Sequence, residues 1–452
     1  METKVLKRYP LGNKRFIWKQ REYINSVFSC VPHKDGFDGD PAEVSDRCVK
    51  HLKDAGFNML ELGWAGHQGA WAAVDACEKH QIHLLFQDMS LMGGMQSFDM
   101  ASAVTDAAIE RTAKILREKE YVVGYYVWDE PGNNATFTEA RRQMDLLQKY
   151  DPEALHFTVA QPNYNHCGED RQGLNWQNGL YPSYIEEFLN RMDPPVHSFD
   201  YYPVGDYFGS WPGHKFDRKQ QLDDTFMWLD IALNRQKALE HDLPFWFYYQ
   251  SFELFECTDY FVFPMVRCFM YAAILHGAKG LQNYTAGQEG NHLLDPAGNP
   301  GKFMKEQTIV NGEVNALGNA LMALTSKLVY HSEDLLPGCD LIRPYVNTIE
   351  ESAIFAGKLP KRCSIGELED DYGNRYAVIL NRDYEKELKA ILELKEGFRI
   401  YEVSKKDGRQ YVLHENVTAM PIELAPGDAV VVRIQKADED TFAVEYELAE
   451  RA

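Results

Sequence analysis

Two adjacent carboxylates, Asp129 and Glu130, end a run of strand-forming residues and are followed by Pro131-Gly132. A strand that stops at acids and a breaker directs its carboxyl end toward an open surface rather than a packed interior. Neighbouring carboxyl groups can divide acid and base roles, because burial and nearby charge move their pKa values apart. This pair is therefore the first candidate for chemistry in the chain.

Strands and helices alternate regularly over most of the chain. Asp40 caps the first predicted helix, with Pro41 at its first position and Gly56 just beyond its end. A last helix is predicted near Glu313–Leu328. Eight consecutive strand–helix units are the pattern of an α/β fold of the (β/α)8 TIM barrel type, assigned to residues 1–330. The predicted strands are Ile24–Val31, Phe57–Leu62, His83–Phe86, Val122–Trp128, His156–Ala160, Val196–Tyr202, Phe245–Tyr249 and Ala278–Tyr284.

Residues 331–452 have a different pattern, with short alternating segments in place of helical periodicity. The connecting turns Asp371-Tyr372-Gly373-Asn374 and Lys406-Asp407-Gly408-Arg409 supply residues that tolerate positive φ in hairpins. We therefore predict a C-terminal antiparallel β-sandwich domain. We expect it to pack against the barrel and to contribute to a homo-oligomer.

Composition narrows the class of ligand. The net charge of −21 argues against a nucleic-acid partner or an anionic membrane surface, so a neutral small molecule fits best. Aromatic residues make up 13% of the chain, enough for stacking platforms as well as core. Eight cysteines without a CxxC pair, and a first segment without an apolar leader, favour the reducing cytoplasm. No apolar run is long enough to predict a transmembrane span.

The sequence gives no signal for a cofactor or a metal. Cys30-Val31-Pro32-His33 after the first strand is not a glycine-rich phosphate turn, which also argues against a doubly wound sheet. HExxH motifs and clustered Cys/His spacings do not occur. We therefore predict no cofactor and no metal.

The carboxyl ends of barrel strands carry the reactive groups of this fold. In this chain those ends combine carboxylates, amides and aromatic rings, which suits a polyhydroxylated neutral ligand such as a sugar. Polar residues also follow strands simply because loops are polar, which is the plainer interpretation of any one of them. The predicted binding residues are Glu61, Trp64, Asp88, Trp128, Asp129, Gln161, Asn163, Asp200, Tyr202, Tyr249, Gln250, Asn283 and Tyr284.

Glu130 is the candidate acid. By the period of two in a strand, Tyr126 and Trp128 share its face. Apolar surroundings and the charge of Asp129 should both raise the pKa of Glu130 toward that of an acid usable at neutral pH. The structural alternative is that Glu130 caps the following helix or binds an arginine.

The barrel resembles the clan-A glycoside hydrolases. Trp128-Asp129-Glu130-Pro131 looks like their fourth-strand Asn-Glu-Pro motif, with Asp for Asn, and the resemblance implies that Glu130 is the acid/base of an exo-acting glycosidase. Pro244-Phe245-Trp246-Phe247-Tyr248-Tyr249-Gln250-Ser251 is similar to the seventh strand of the β-galactosidase branch, whose nucleophilic Glu would fall at Tyr249 or Gln250. The run His276-Gly277-Ala278-Lys279-Gly280-Leu281 is also similar to that branch.

The missing Glu on the seventh strand leaves the second carboxylate open. Glu253 is the nearest replacement and the chosen partner of Glu130, with Asp200 and Glu61 as alternatives and Tyr249 as an unusual nucleophile. A nucleophile near 5 Å predicts retention, and a base at about 6.5 Å or more predicts inversion. A carbohydrate-binding protein on a barrel that has lost hydrolysis is the competing interpretation, followed by a sugar lyase or isomerase.

Overall fold

The computed structural model describes residues 1–29, 39–63, 66–88, 105–162, 180–204, 225–252, 261–287, 293–335 and 340–450. A barrel of eight parallel strands forms its centre. Strand β1 (Glu2–Arg8) precedes the barrel and pairs with a strand outside it. The barrel strands are β2 (Ile24–Ser29), β3 (Met59–Leu62), β4 (His83–Phe86), β5 (Val122–Asp129), β6 (Leu155–Val159), β7 (His197–Asp200), β8 (Phe245–Gln250) and β9 (Gly280–Ala286).

The barrel closes between β6 and β7. Strand pairing runs in the order β6-β5-β4-β3-β2-β9-β8-β7. Ala160, directly after β6, then forms a parallel bridge with Phe199 of β7, and its N–H donates to the carbonyl of Ser198 at 2.8 Å. The predicted (β/α)8 barrel is therefore confirmed, and each predicted strand overlaps an observed one.

Helices follow the strands and cover the outside of the barrel. The Asp40 side chain accepts from the N–H groups of Ala42 and Glu43, which caps the first helix as predicted. Asn133 and Thr136 form a capping box at the start of the helix after β5. The helices are α1 (Pro41–Asp54), α2 (His67–His80), α3 (Asp106–Leu116), α4 (Asn134–Tyr150), α5 (Leu180–Met192), α6 (Thr225–Glu240), α7 (Phe263–Leu275) and α8 (Met304–Ala323).

Each barrel strand is buried on both faces. Outward residues such as Val27, Leu84 and Phe247 pack under the helices in the largest core cluster. Inward residues, among them Phe157 and Trp246, fill the barrel in a separate cluster. This double burial explains the nearly continuous apolar runs of strands such as β8.

A seven-stranded antiparallel sheet follows the barrel, as predicted. Its strand order is β10-β12-β13-β16-β14-β11, with β15 paired to β14. Short 3-10 turns at Glu333–Leu335, Asp340–Tyr345 and Ile349–Glu351 connect its first strands. The strands are β10 (Thr325–His331), β11 (Phe355–Ala356), β12 (Cys363–Glu369), β13 (Arg375–Asn381), β14 (Leu388–Val403), β15 (Gln410–Leu424) and β16 (Ala429–Lys436).

The long β14–β15 hairpin supplies the second layer of this domain. Its register shifts between Glu393 and Phe398, where the hairpin changes direction. Leu392 and Ile422 from the distal part pack with Ile379 and Ile400 of the sheet in one apolar cluster. The other face of the sheet packs on the barrel, where a Cβ at Gly366 would lie 1.9 Å from the Leu275 carbonyl of α7.

One sequence prediction needs correction here. The helix predicted near Glu313–Leu328 ends at Ala323, and Thr325 begins β10, which pairs with β12 of the C-terminal sheet. The predicted division of the chain at residue 330 stays a prediction. The first residues gave no sequence signal, yet β1 forms a parallel two-stranded sheet with β17 (Phe442–Leu448).

The described helices and cysteines bear on membrane insertion and on thiol chemistry. No helix among them is long and apolar enough to cross a bilayer. Cys48, Cys77, Cys268 and Cys363 are buried free thiols. Burial raises the pKa of each of these thiols, so they are poor nucleophiles.

Candidate active site

A β-bulge near the end of β5 decides which side chains reach the barrel mouth. The pairing of β5 with β6 shifts between Tyr126 and Trp128, which breaks the alternation of faces. Tyr126 packs inside the barrel, and its hydroxyl donates to Asp129 at 3.0 Å. Trp128 packs in the outer core with 1% of its surface exposed. Trp128 therefore does not share the face of Tyr126, and its placement does not fit the predicted binding role.

Glu130 follows β5 in a left-handed backbone conformation with φ of +50°, which residues other than glycine adopt rarely. Neighbouring side chains hold this turn. The Gln161 amide donates to the Glu130 carbonyl at 3.3 Å, and the Tyr184 hydroxyl donates to the Pro131 carbonyl at 3.1 Å. The backbone is thereby fixed, and the Glu130 side chain is half-buried at the mouth.

Asp200, at the end of β7, brings a third carboxyl group to Asp129 and Glu130. Its side chain is buried beside the Glu130 carboxyl and the Tyr202 hydroxyl, both of which lower its pKa. Burial first, and the negative charge of Asp129 second, outweigh them and raise the pKa of Asp200 well above its usual range. Asp200 therefore retains a proton at a pH where isolated carboxyl groups have lost theirs.

Glu61 of β3 provides another carboxyl group inside the barrel, fully shielded from solvent. It accepts hydrogen bonds from Ser26 of β2, Tyr248 of β8 and Gln282 of β9, the last at 2.9 Å. Ser198 of β7 in turn donates to Gln282 at 2.7 Å. Burial raises the pKa of Glu61 to about 6, although its three donors oppose the shift. Side chains from five strands thus converge around one carboxyl group.

Aromatic rings line the mouth beside the carboxyl groups. Tyr202 stacks on Tyr284 with ring centroids 4.9 Å apart, and Phe252 meets each of them edge-on at 5.2 Å. Tyr202 also lowers the pKa of Asp200, so this wall lies beside that carboxyl group. The structure therefore brings the predicted residues Tyr202 and Tyr284 together, next to the carboxyl cluster. Ring faces beside hydrogen-bonding groups suit a ligand that is apolar on one face and hydroxylated at its edges.

The predicted amides Gln161 and Gln250 brace the loops around the mouth. Gln250 donates to the carbonyls of Val204 and Phe252 and accepts from the N–H of Val204 at 2.8 Å. Gln161 donates to the Glu130 carbonyl, as described above. Both amides are buried. Their observed contacts position backbone segments that follow β5, β7 and β8.

Tyr249 and Asn283 face the helix layer rather than the mouth. The Tyr249 hydroxyl accepts from Asn283 at 2.9 Å and from Gln307 of α8 at 3.1 Å. Ser251 donates to Asn283 at 2.6 Å. Both residues are fully buried, and burial raises the pKa of Tyr249. This placement does not fit the predicted roles of Tyr249 as a nucleophile or of either residue in binding, because β8 and β9 turn them outward.

The remaining predicted residues divide into two groups. Asp88, after β4, has a fully buried side chain whose carboxylate pairs with Nδ1 of His67 at 2.6 Å. Trp64, Asn163 and Glu253 lie outside the described residues, so their roles stay predictions.

The partners of Glu61 were missed by sequence reasoning. Ser26, Tyr248 and Gln282 are polar residues in the middle of apolar strands, and that position was the available signal. Within the described ranges, His, Cys, Asp and Glu side chains form no group of three or more that could hold a metal ion. Organic acid–base chemistry is what the described side chains offer directly.

Comparison with known proteins finds likeness in structure alone. No protein-family model and no curated protein matches the sequence. Similar solved structures include a beta-glucuronidase from Ruminococcus gnavus, with 11% identity over 66% of this chain and 52% of that chain and a TM-score of 0.41. A putative alpha-galactosidase from Bacteroides fragilis has 9% identity over 93% of this chain and 81% of that one, with a TM-score of 0.48. An alpha-amylase from Anoxybacillus has 10% identity over 92% and 98%, with a TM-score of 0.45.

A beta-glucuronidase, an alpha-galactosidase and an alpha-amylase are kinds of glycoside hydrolase, and this chain spans about half the length of the beta-glucuronidases that it matches. At identities of 9 to 11%, their substrates do not transfer to this chain. Substrate and mechanism have to be argued from the side chains at the mouth.

Proposed function

We propose that this protein is a glycoside hydrolase that acts by two-carboxylate chemistry on the exposed end of a neutral oligosaccharide or glycoside. The observation that carries the proposal is the meeting of Asp129, Glu130 and Asp200 at the ends of β5 and β7, where burial and the charge of Asp129 raise the pKa of Asp200. Hydrolysis of a glycosidic bond needs a carboxylic acid to protonate the departing oxygen and a second carboxylate to attack or to activate water.

The proton donor in this proposal is Glu130. It is half-buried, so it can reach a bound substrate, whereas Asp200 is almost fully enclosed. The raised pKa of Asp200 keeps a proton beside the Glu130 carboxyl group near neutral pH. Asp200 therefore acts as a positioning residue for the acid.

The second carboxylate is proposed to be Glu253, as in the sequence prediction, with Asp129 as its competitor. Asp200 contacts Glu130 directly, which is closer than the spacing of about 5 Å or more between the two working carboxyl groups of glycosidases. Glu61 is enclosed and fully engaged by its donors. The described chain reaches the mouth at Phe252, the residue before Glu253, where Phe252 packs on Tyr202.

The aromatic wall supports a sugar as the substrate. Tyr202, Phe252 and Tyr284 offer ring surface beside carboxyl and hydroxyl groups, in a chain whose net charge of −21 disfavours anionic ligands. The free cysteines of the described residues support the cytoplasm as the place of this activity.

The test is the hydrolysis of a panel of nitrophenyl glycosides and of the matching unactivated disaccharides. Glu130→Gln should lower kcat/KM on disaccharides by about a hundredfold or more, because the leaving oxygen loses its proton donor. Asp151→Asn is the control, since Asp151 is a carboxylate near the same strand that accepts from Tyr125 but lies on the helix side of β5, away from the mouth. Equal activity of the two variants would contradict the role of Glu130.

Rescue of inactive variants by azide is the experiment that identifies the second carboxylate. Small-residue variants Glu253→Ala and Asp129→Ala should both lose activity if each group matters, but only the variant that lacks the nucleophile should recover with azide and release a glycosyl azide. Recovery in Asp129→Ala alone would replace Glu253 in the proposal. Absence of turnover by the native protein on every substrate would contradict hydrolysis itself.

A carbohydrate-binding protein on a non-hydrolytic barrel is favoured by one specific observation. The direct contact of Glu130 with Asp200 leaves no gap for a bond to be cleaved between those two groups. In that case Glu130→Gln should keep sugar affinity, measured by calorimetry, and the native protein should release no product.

A further inference from the structure

A pocket of about 360 Å³ lies at the end of the barrel opposite the mouth. Phe245 and Lys279 line it where β8 and β9 begin, and Arg235 lines it from α6. Residues 10–12 and residues 324–326, at the start of β10, complete its walls. We call it the bottom pocket. The proposed active site lies at the other ends of the strands, so the two sites are separate.

The bottom pocket gathers cations in a strongly acidic chain. Lys14, Lys19, Arg235 and Lys279 line it, and Asp242 is the one acid among the described residues of its lining. Lys14 pairs with Asp242 at 3.4 Å, and both side chains are largely exposed. Three basic side chains therefore remain without a matching carboxylate, although the whole chain has a net charge of −21. Such a local concentration of one sign attracts ligands of the opposite sign.

Two of these cations are nearly enclosed. Arg235 is 6% exposed and Lys279 is 8% exposed. Burial lowers the pKa of Arg235 to about 10 and that of Lys279 to about 7. The charge of Asp371 opposes the shift of Lys279, but neither cation forms an ion pair with a carboxylate of the described residues. Buried charges are normally paired, because an isolated charge away from water is costly.

Hydrogen bonds within the protein use only part of what these two side chains can donate. Lys279 Nζ donates to the carbonyls of Leu321 and Leu324 at the end of α8. Arg235 donates to Ser326 Oγ at 2.8 Å and to a backbone carbonyl of β10 at 3.0 Å. An ammonium group has three N–H donors and a guanidinium group has five, so both side chains keep donors for a ligand. The neutral partners hold the two cations in place without cancelling their charge.

The other walls of the bottom pocket are mainly apolar. Leu11, Leu239, Leu243 and Phe245 line it beside the cations. Its volume falls in the lower part of the range found for small-molecule sites. A ligand that matches both kinds of wall has an anionic head and an organic body.

We propose that the bottom pocket binds a small organic oxyanion, a phosphate or a carboxylate, whose charged head lies against Arg235 and Lys279 and whose body lies against the apolar wall. This second site goes beyond the proposed glycosidase function and does not depend on it. A plainer role for the two cations is to tie α8 and β10 to the barrel through carbonyl groups, and in that case no anion would bind.

The test is calorimetric titration of the full chain with four probes: inorganic phosphate, phenyl phosphate, acetate and benzoate. The ionic strength is held constant and the pH is 6.5, where Lys279 with a pKa of about 7 is largely charged. At least one ring-bearing anion should bind about tenfold more tightly than its partner without a ring, because the apolar wall buries the ring. The tighter of phenyl phosphate and benzoate identifies the head group.

Arg235→Gln should weaken this binding by at least about tenfold, because a charged donor becomes a neutral one. Lys237→Gln is the matched control, since it removes the same charge from the same helix. Lys237 lies outside the lining of the pocket and pairs with Glu186 at 2.9 Å and Glu240 at 2.8 Å, so the control should bind like the native protein.

A second variant covers the case in which Arg235→Gln does not fold. Lys19 is more exposed, and its Nζ donates to loop carbonyls that include that of Asn13 at 3.0 Å. Lys19→Gln removes a charge from the pocket lining and should weaken binding by about threefold.

Three results would overturn the proposal. These are no binding of any probe by the native protein, equal affinities of the pocket variant and Lys237→Gln, and no gain from the ring of either probe. Each result is independent of turnover at the mouth. A protein that binds phenyl phosphate or benzoate as expected but hydrolyses no glycoside would keep the second site and lose the proposed function, and the reverse outcome would do the opposite.

Discussion

Tyr248 and Tyr249 are adjacent on β8, yet they belong to two buried networks of different kinds. Tyr248 points into the barrel, where its hydroxyl meets the carboxyl group of Glu61. Tyr249 points outward to Asn283 and Gln307, and Gln307 continues to Asn311 at 2.7 Å. Both hydroxyls are fully buried and hydrogen-bonded. Burial and complete hydrogen bonding therefore do not distinguish a structural network from a functional one in this protein.

Charge separates the two networks. The outer network consists of neutral amides and a phenol, so its protonation does not change near neutral pH. The inner network contains a carboxyl group whose pKa is raised to about 6 by burial. A perturbed group in a cleft is the more common mark of a functional site, although structural networks also perturb pKa values.

The largest expected effect is that of Glu61→Ala on stability. The substitution leaves the donors on Ser26, Tyr248 and Gln282 without their acceptor. Each buried unpaired donor costs about 1–3 kcal/mol, so the free energy of unfolding should fall by about 3 kcal/mol or more. Urea unfolding at pH 5, where Glu61 is largely protonated, measures this loss without a buried charge. The control is Glu153→Ala at an exposed position, which should change the free energy of unfolding by at most about 0.5 kcal/mol. Similar losses in Glu61→Ala and Glu153→Ala would remove the distinction between the networks.

The second expected effect is a pH dependence of the free energy of unfolding, which only the inner network around Glu61 should cause. The pKa of Glu61 is 4.5 in the unfolded chain and about 6 in the folded one. Because the folded value is raised, the stability that this group contributes is complete below pH 4.5 and is lost as the pH rises through 6. The loss should reach ~2 kcal/mol.

The difference in unfolding free energy between the native protein and Glu61→Gln, followed from pH 4 to 7.5, isolates this contribution. Asp200 acts in the same direction, since its pKa is also raised by burial, but it is present in both proteins. Parallel pH curves would show that Glu61 is not perturbed.

The smallest effect is that of Tyr249→Phe. The Gln307 amide keeps its bond to Asn311, so loss of the Tyr249 hydroxyl leaves mainly the Asn283 amide unpaired and should lower the free energy of unfolding by about 1 kcal/mol. The loss should be equal at all pH values between 5 and 8, because the partners are neutral amides. Tyr248→Phe removes a donor to the Glu61 carboxylate, so its stability loss should grow as the pH rises through 6. Thermal unfolding of both variants at pH 5 and pH 8 makes the comparison. A pH-dependent loss in Tyr249→Phe would contradict the neutral outer network.

The barrel was predictable because its signals are local. The strand–helix units carry their own periodicity and some carry their own cap, as at Asp40 and Pro41, and the strand His83–Phe86 was predicted with both of its bounds. The positions of Asp129, Glu130 and Asp200 at strand ends followed from the same local patterns. The closed barrel then brings the ends of β5 and β7, which lie on either side of β6, near one another.

The sequence predicted less well which face of its strand each side chain occupies. The bulge between Tyr126 and Trp128 adds a residue that no composition signal marks, and it turns Trp128 outward. In Phe245–Gln250 every residue is buried, so no polar alternation tells Tyr248 from Tyr249. The pairing of β1 with β17 escaped prediction because its partners are remote in the chain and rich in Lys and Glu.

The left-handed turn at Glu130 sets stability against activity at a single position. A side chain in this conformation costs roughly 1 kcal/mol that glycine avoids. Selection for heat resistance alone would therefore favour glycine there and delete the proposed acid along with the strain. Stabilising mutations are best sought elsewhere in this protein, because at position 130 a gain in stability would remove the proposed acid.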